Sequence, residues 1–376
     1  MTADPGATQW IDLRRCDDPR DVVHQAVACL VHGGLIGLAT ETMYALAAGA
    51  VQSEALVRLR QMARTPAALP LTLLIRGPEE APDWMPEISR VGQRLAWRLW
   101  PGPLTLLFPD GARNGLFMRL PEEVRQLISP RGELALASSA DPFVRDVLEL
   151  LPAPLVLGMA TSPEEPPATT ARPLHAHPGL DMVIDSGPTR CGNVCTYVRI
   201  DNDRWTMERE GVIDGPTLTR MSGMIILFVC TGNTCRSPMA EAICKMLLAR
   251  RLDCDVTELE ERGYVVLSAG TSATTGAPAA ANAIEVLRSM GGSLESHRSQ
   301  RVTLELIRQA DCIFTMTADH LDSLLSAVPE ARSHSHLLDA DGGDVPDPIG
   351  TDQHNYRQTA RRIEELLEKR LKQMGL

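Results

Sequence analysis

Ile225-Ile226-Leu227-Phe228-Val229-Cys230-Thr231-Gly232-Asn233-Thr234-Cys235-Arg236-Ser237-Pro238 is the stretch on which the reading of this chain turns. Its first five residues are apolar and β-prone, the pattern of a strand buried on both faces. A polar loop with a glycine and an asparagine follows, and then a helix from about Pro238 to Arg250. Cys230 and Arg236 are thus separated by five residues between a strand and a helix. In that setting the loop amides and the helix N-terminus converge on one point and stabilise an anion there. Arg236 can fork two donors onto two phosphate oxygens. Gly232 is expected to allow backbone geometry that a side chain would block. The same positive field favours the thiolate of Cys230, the form that attacks phosphorus. Ser237 is placed to donate a hydroxyl hydrogen bond to that sulfur.

Working outward, strand and helix alternate on the C-terminal side. Strands are expected at Tyr264–Ser268 and Cys312–Met316, and helices at Ala279–Met290, Thr303–Ala310 and Tyr356–Lys372. That alternation predicts a parallel sheet with helices on both faces, a three-layer α/β domain over 224–376. On the N-terminal side, apolar runs at Gly34–Leu38, Pro70–Ile75, Leu104–Phe108, Leu134–Ala137, Leu155–Leu157, Met182–Ile184 and Val194–Ile200 read as strands. Helical periodicity is clearest in Pro19–Val31, Glu54–Met62 and Ile88–Leu99. These predict a second α/β domain over 1–215 with a twisted, mixed sheet. Ser162–Pro178 is expected as a long exposed loop with solvated His175 and His177, and 216–223 as the linker.

The bulk numbers fit two globular domains. The chain has 376 residues, of which 44% are hydrophobic and 23% charged. The net charge of −11 argues against a protein whose main task is to hold nucleic-acid backbone. Nine cysteines without framework or metal-ligand spacing, no apolar leader in Met1–Trp10 and no run long enough to span a membrane point to a reducing cytoplasm. No metal site is expected. Cys235 is placed either to trap an oxidised Cys230 as a disulfide or simply to fill space.

The loop, with Pro238-Met239-Ala240-Glu241 after it, resembles that of the low-molecular-weight protein-tyrosine-phosphatase family. The likeness extends through Ser268-Ala269-Gly270-Thr271 and His297-Arg298-Ser299 to Asp344-Val345-Pro346-Asp347-Pro348-Ile349-Gly350. It implies a cofactor-free enzyme that dephosphorylates proteins through a cysteinyl-phosphate. Cys230, Arg236 and Asp347 would be its catalytic residues. Thr231, Gly232, Asn233, Thr234, Cys235 and Ser237 would surround the phosphate, and His297 would steady Asn233. The residues alone leave Asp339, Asp341 and Asp344 in competition with Asp347 for the role of acid; the resemblance selects Asp347. The run Cys230-Thr231-Gly232-Asn233-Thr234-Cys235-Arg236-Ser237-Pro238, with Thr231 and Thr234 at its variable positions, is similar to the bacterial protein-arginine phosphatases, in which the threonine hydroxyl helps select a phosphoguanidinium. No aromatic wall for a phenol follows Pro348, and an acidic rim of Asp339, Asp341 and Asp344 would suit a guanidinium. Phosphoarginine is therefore favoured over phosphotyrosine.

In the N-terminal half, Ala39-Thr40-Glu41-Thr42-Met43-Tyr44-Ala45-Leu46, Trp100-Pro101-Gly102-Pro103-Leu104-Thr105, Met118-Arg119-Leu120-Pro121 and Arg209-Glu210-Gly211 resemble the YrdC-like threonylcarbamoyl-adenylate synthases. That family uses threonine, bicarbonate and ATP in a positively charged cavity. Its lysine-x-arginine pair appears here as Met62-Ala63-Arg64, its first-motif proline as Ala39 and the glycine after the tyrosine as Ala45. The resemblance implies a retained fold with synthase activity lost or altered. Thr40, Thr42, Arg64 and Arg119 are the candidates for holding ATP or another anion. Two readings follow: a phosphatase with a silent companion domain, or a fusion of synthase and phosphatase.

Overall fold

The computed structural model describes residues 8–67, 69–109 and 114–376, and the chain divides into two compact units, Met1–Ser222 and Gly223–Leu376. Most of the Met1–Trp10 stretch searched for a leader lies outside the described residues.

The N-terminal unit is built on ten strands: β1 (Gln9–Asp12), β2 (Ile36–Ala39), β3 (Tyr44–Gly49), β4 (Thr72–Leu74), β5 (Leu104–Phe108), β6 (Leu134–Ala137), β7 (Leu155–Met159), β8 (Met182–Asp185), β9 (Thr196–Asp201) and β10 (Arg204–Arg209). They form one sheet in the order β1-β8-β2-β3-β7-β4-β6-β5-β9-β10. Pairing is mixed, parallel for β1/β8, β2/β8, β4/β6 and β5/β9 and antiparallel elsewhere. Both faces are covered. Leu46 and Ala48 of β3 look into one apolar cluster, while Ala47 between them looks into the other. That is the two-residue period of a strand buried on both sides.

Two stretches differ from expectation. Residues 215–222 are a helix, Gly215–Ser222, rather than a linker. Asp214 Oδ1 accepts the Thr217 N–H at 2.9 Å, and Leu218 is fully buried. One capping carboxylate and one anchoring leucine suffice for a helix too short to show a period. Within 162–178, Ala168, Ala171 and Leu174 are buried. His177 is buried with Nε2 at 2.7 Å from the Ala160 carbonyl, and His175 stacks on Trp10 with ring centroids 4.0 Å apart. The polar composition of this segment hid small apolar residues that fasten it down.

The C-terminal unit is a parallel sheet of β11 (Met224–Cys230), β12 (Tyr264–Gly270), β13 (Cys312–Thr315) and β14 (Ser335–Leu337), ordered β12-β11-β13-β14. Along β11, Ile226 and Phe228 pack into one core cluster, and Ile225, Leu227 and Val229 into another. Helices Arg236–Leu252, Ala281–Ser289 and Gln353–Gln373 cover the first face; Leu304–Gln309 and Ala318–Ala327 cover the second. From β11 the chain moves to β12 on one side and then to β13 on the other. Strand order reverses at β11, and the crevice outside its carboxyl end is where such sheets bind ligands.

Candidate active site

Cys230 is the last residue of β11, opposite Gly270 of β12 in a parallel register, and is 3% exposed. The loop 231–235 then carries the chain into helix Arg236–Leu252. Four loop carbonyls are engaged from outside. Those of Cys230 and Thr231 accept the N–H groups of Thr271 and Ser272, each at 2.9 Å. Those of Asn233 and Thr234 accept His297 Nε2 at 2.8 Å and the Ala280 N–H at 2.9 Å. In a trans peptide the next N–H points opposite to the carbonyl. The amides of Thr231, Gly232, Thr234 and Cys235 are thereby turned inward.

Asn233 holds this shape. Its φ is +54°, the left-handed region that asparagine tolerates better than most residues. It is fully buried, and every polar atom it owns has a partner. Its backbone N–H donates to Cys230 Sγ at 3.3 Å, and Nδ2 donates to Ser237 Oγ and Ser268 Oγ, both at 2.9 Å. Its Oδ1 accepts the Gln300 N–H at 2.8 Å. Ser237 Oγ in turn lies 2.9 Å from Cys230 Sγ. Ser268 donates to Glu241 at 2.6 Å, which anchors the network in the first turns of the helix.

The glycine on which the loop depends is Gly270, not Gly232. A Cβ on Gly232 would meet nothing closer than Thr234 Oγ1 at 3.6 Å, and its φ is not positive. A Cβ on Gly270 would sit 2.5 Å from the Thr231 carbonyl oxygen and 3.0 Å from the Asn233 nitrogen. The constraint is the close approach of β12 to the loop.

Arg236, 6% exposed, donates through Nη1 to the Val345 carbonyl at 3.2 Å and through Nη2 to Asp347 Oδ2 at 2.5 Å. The Val345 N–H donates to Met316 O at 2.8 Å, fixing this loop to the end of the sheet, and Asp347 Oδ1 accepts the Ile349 N–H at 3.2 Å. The competing carboxylates are occupied elsewhere. Asp339 is buried against Arg362 at 2.7 Å, and the Asp341 backbone N–H together with that guanidinium holds its carboxyl below the usual range. Asp341 pairs with Lys369 at 3.4 Å, and Asp344 accepts the Ala318 N–H at 2.9 Å at the start of a helix. The acidic rim expected from the sequence does not form as a free set of charges.

Thr231 is exposed at the mouth of the loop, with Oγ1 at 2.8 Å from His320 Nε2. The sequence singles out no role for His320, which lies in the first turn of helix Ala318–Ala327; only the fold carries it to the loop. Burial, and then the nearby Arg236 guanidinium, push its pKa down from 6.5. Cys235 is buried with Sγ at 3.2 Å from Tyr356 Oη, and both loop cysteines are free thiols. Ser268, Gln300, Gly270 and Tyr356 are further neighbours supplied by distant parts of the chain. Ser268 and Gly270 could have been found, since they fall in the Ser268–Thr271 motif.

The N-terminal unit has a cavity of its own, lined by Thr40 and Thr42 together with Thr72, Thr105, Ser138, Ser139 and Cys195. Arg64 and Arg119 are exposed and do not line it. Among the described lining residues the charged ones are Glu41 and Arg209. Glu41 accepts from Ser139 Oγ at 2.5 Å and from the Ala140 N–H at 3.0 Å. Arg209 donates to the Cys195 carbonyl at 3.1 Å and lies 4.8 Å over the Tyr197 ring. Sequence reading passed over both as site residues. Among the described lining residues Arg209 is thus the one guanidinium, and it is engaged by a carbonyl and an aromatic ring.

Comparison with known proteins assigns each unit. Residues 225–375 match the model described as low molecular weight phosphotyrosine protein phosphatase, and residues 28–211 match the Sua5/YciO/YrdC model described as telomere recombination. The protein-arginine-phosphatase of Bacillus subtilis is 37% identical over 155 residues, covering 40% of this chain and 97% of the relative. The threonylcarbamoyl-AMP synthase of Pyrococcus abyssi is 29% identical over 183 residues, 48% of this chain, which spans only half of that relative's length. The solved structure of a doubly substituted variant of P. abyssi Sua5 is similar at 21% identity with a TM-score of 0.50, over 70% of this chain and 91% of its own, a likeness of fold. Among the described residues no helix is long and apolar enough to cross a membrane.

Proposed function

Because residues 225–375 belong to the low-molecular-weight phosphotyrosine protein phosphatase family, with a Sua5/YrdC-like domain fused before them, we propose that this enzyme dephosphorylates phosphoarginine in proteins through a cysteinyl-phosphate on Cys230. The observation that carries the mechanism is the position of Cys230 Sγ, 3.3 Å from the Asn233 amide and 2.9 Å from the Ser237 hydroxyl, under inward-facing loop amides. Donors so placed stabilise a thiolate and a phosphoryl group above it. Arg236 is held from behind by Val345 and presents its remaining N–H groups to the equatorial oxygens.

Cys230 attacks phosphorus in line while the P–N bond breaks. Asp347, whose Oδ2 lies 2.5 Å from Arg236 Nη2, gives its proton to the departing guanidine nitrogen once the phosphoryl oxygens have taken its place on that guanidinium. In the second step Asp347 takes a proton from water as that water attacks phosphorus. The S–P bond breaks, and Ser237 donates a hydrogen bond to the leaving sulfur.

Phosphoarginine is favoured over phosphotyrosine by three features. The residue at the loop mouth is the hydroxyl-bearing Thr231, the side chain after Pro348 is Ile349 at 66% exposure rather than an aromatic ring, and the similar Bacillus protein bears an arginine-phosphatase name. A hydroxyl can accept from a guanidinium N–H, whereas a phenol ring prefers apolar contact. Comparing kcat/KM on phosphoarginine and phosphotyrosine peptides of one sequence tests this; a preference for the tyrosine ester overturns it.

The N-terminal domain is read as a Sua5/YrdC-like fold without synthase activity. Its support is the charge-poor cavity and the absence of the family lysine at Met62. No pyrophosphate should be released from ATP in the presence of threonine and bicarbonate; release would restore the bifunctional reading.

A further inference from the structure

We propose that a cavity behind the phosphate loop is a second ligand site, taking a small amphiphilic carboxylate that weakens phosphate binding from the rear. The inference rests on the loop as the phosphatase's anion site and is independent of the choice between phosphoarginine and phosphotyrosine.

The cavity measures about 620 Å³, within the range of small-molecule sites, roughly 300–1,000 Å³. It lies between helix Arg236–Leu252, strand β12 and the segment 291–300, and no residue of 230–236 lines it. Several of its lining residues nevertheless hold the loop. His297 Nε2 meets the Asn233 carbonyl at 2.8 Å, and the Gln300 N–H donates to Asn233 Oδ1 at 2.8 Å. Asn233 Nδ2 donates to Ser268 Oγ at 2.9 Å, and Ser268 donates to Glu241 Oε2 at 2.6 Å. Lys245 Nζ ends the series on Glu241 Oε1, also at 2.6 Å.

The open valences of this cavity belong to donors. Both carboxylate oxygens of Glu241 are engaged, whereas the Lys245 ammonium has further N–H groups to give. Arg298 folds Nη1 onto the carbonyls of His297 and Glu295 at 2.7 and 3.2 Å. Its Nε and Nη2 have no acceptor among the described residues. Met246 and Leu294 supply an apolar wall. A carboxylate at Lys245 and Arg298 with a short apolar chain along that wall meets both requirements.

Such a ligand competes with Glu241 for Lys245. Glu241 then faces Ser268 with less of its charge neutralised, and the ligand brings a second negative charge to the same side. Both lower the positive potential of the loop to which they connect through Ser268 and Asn233, so phosphate is held less tightly. By linkage, a filled loop weakens the ligand by the same factor.

Octanoate is the probe, titrated into the full-length protein as it hydrolyses para-nitrophenyl phosphate. KM should rise roughly fivefold and then level off, at the low end of typical couplings between sites. A purely competitive rise without a plateau overturns the proposal. In calorimetry, orthovanadate in the loop should weaken octanoate by the same factor; complete loss of binding would put octanoate in the loop itself, and an unchanged affinity would deny the coupling. Arg298→Gln should raise the octanoate Kd about tenfold or more, the loss of one charge-assisted hydrogen bond, and Arg298→Lys should recover most of it. Octylamine, with the opposite charge, should neither bind nor inhibit. Lys245→Met should raise KM without any ligand, because Glu241 loses its counter-charge; an unchanged KM overturns the route through Glu241. Octanoate binding to Arg298→Gln as tightly as to wild type, or octylamine matching octanoate, also overturns the proposal. Turnover without octanoate judges the phosphatase reading and the response to octanoate judges the cavity, so one can fail while the other stands.

Discussion

The phosphate loop and the N-terminal cavity are both pockets of an α/β fold in which small polar side chains and an arginine gather, yet they are opposites electrostatically. In the loop, carbonyls are drawn outward by Thr271, Ser272, His297 and Ala280, so amides converge inward beside Arg236. In the cavity, threonine and serine hydroxyls surround Glu41, and Arg209 is taken by a carbonyl. The number of hydroxyl groups does not distinguish the two pockets. What distinguishes them is whether positive ends are left pointing into the space, because only those offset the cost of removing a phosphate from water.

The comparison is broken most directly at its strong end. Cys230→Ser should leave a folded protein with activity reduced roughly a thousandfold or more, since a serine hydroxyl is not ionised at neutral pH and the cradle is built around the sulfur. Full phosphatase activity in that variant would mean the chemistry lies elsewhere. Gly270→Ala touches no substrate, yet its methyl would press on the Thr231 oxygen 2.5 Å away. Displacing loop amides by a few tenths of an ångström to one ångström should lower kcat/KM roughly a hundredfold with phosphate binding weakened in parallel. Gly232→Ala, with its nearest atom at 3.6 Å, should strain the backbone far less, so its melting temperature should exceed that of Gly270→Ala.

Asn233 tests whether the loop's shape is stabilised by one residue. Asn233→Ala removes three side-chain hydrogen bonds from a fully buried site and places alanine at φ +54°. The partners Ser237, Ser268 and the Gln300 amide are then left unpaired, which should destabilise the C-terminal unit by about 2–4 kcal/mol in urea unfolding. A loss below about 1 kcal/mol would show that water replaces the asparagine and that the network is not what holds the cradle.

These effects also mark where sequence sufficed. Strand, loop and helix of the cradle are contiguous, so Cys230, Arg236 and Ser237 could be placed from spacing alone, and the apolar run of β11 was enough to predict burial on both its faces. What escaped was non-local. His320, Gln300 and Tyr356 reach the loop from three other parts of the chain, and the close approach that requires Gly270 exists only between paired strands. Asp339, Asp341 and Asp344 looked equivalent to Asp347 because their partners Arg362, Lys369 and Ala318 lie 23, 28 and 26 positions away. The helix Gly215–Ser222 was missed for a related reason, its anchor being a single leucine whose pocket is formed by other segments.

The smallest effect expected is a pH dependence of stability, and its sign follows from His320. Its folded pKa lies below 6.5, first through burial and then through Arg236, so the unfolded chain takes up the proton more readily than the native one. Between 6.5 and that lower value the unfolded state binds more protons, and stability falls as pH drops. Above 6.5 the histidine is neutral in both states and its contribution is complete. His336 is shifted the same way by burial and by Arg370, so it adds to the slope and must be subtracted. His320→Gln achieves this, because glutamine does not titrate and leaves His336 untouched. The urea midpoint for loss of phosphatase activity should decline less steeply below pH 6.5 in His320→Gln than in wild type. Identical slopes would mean that folding does not hold the ring neutral.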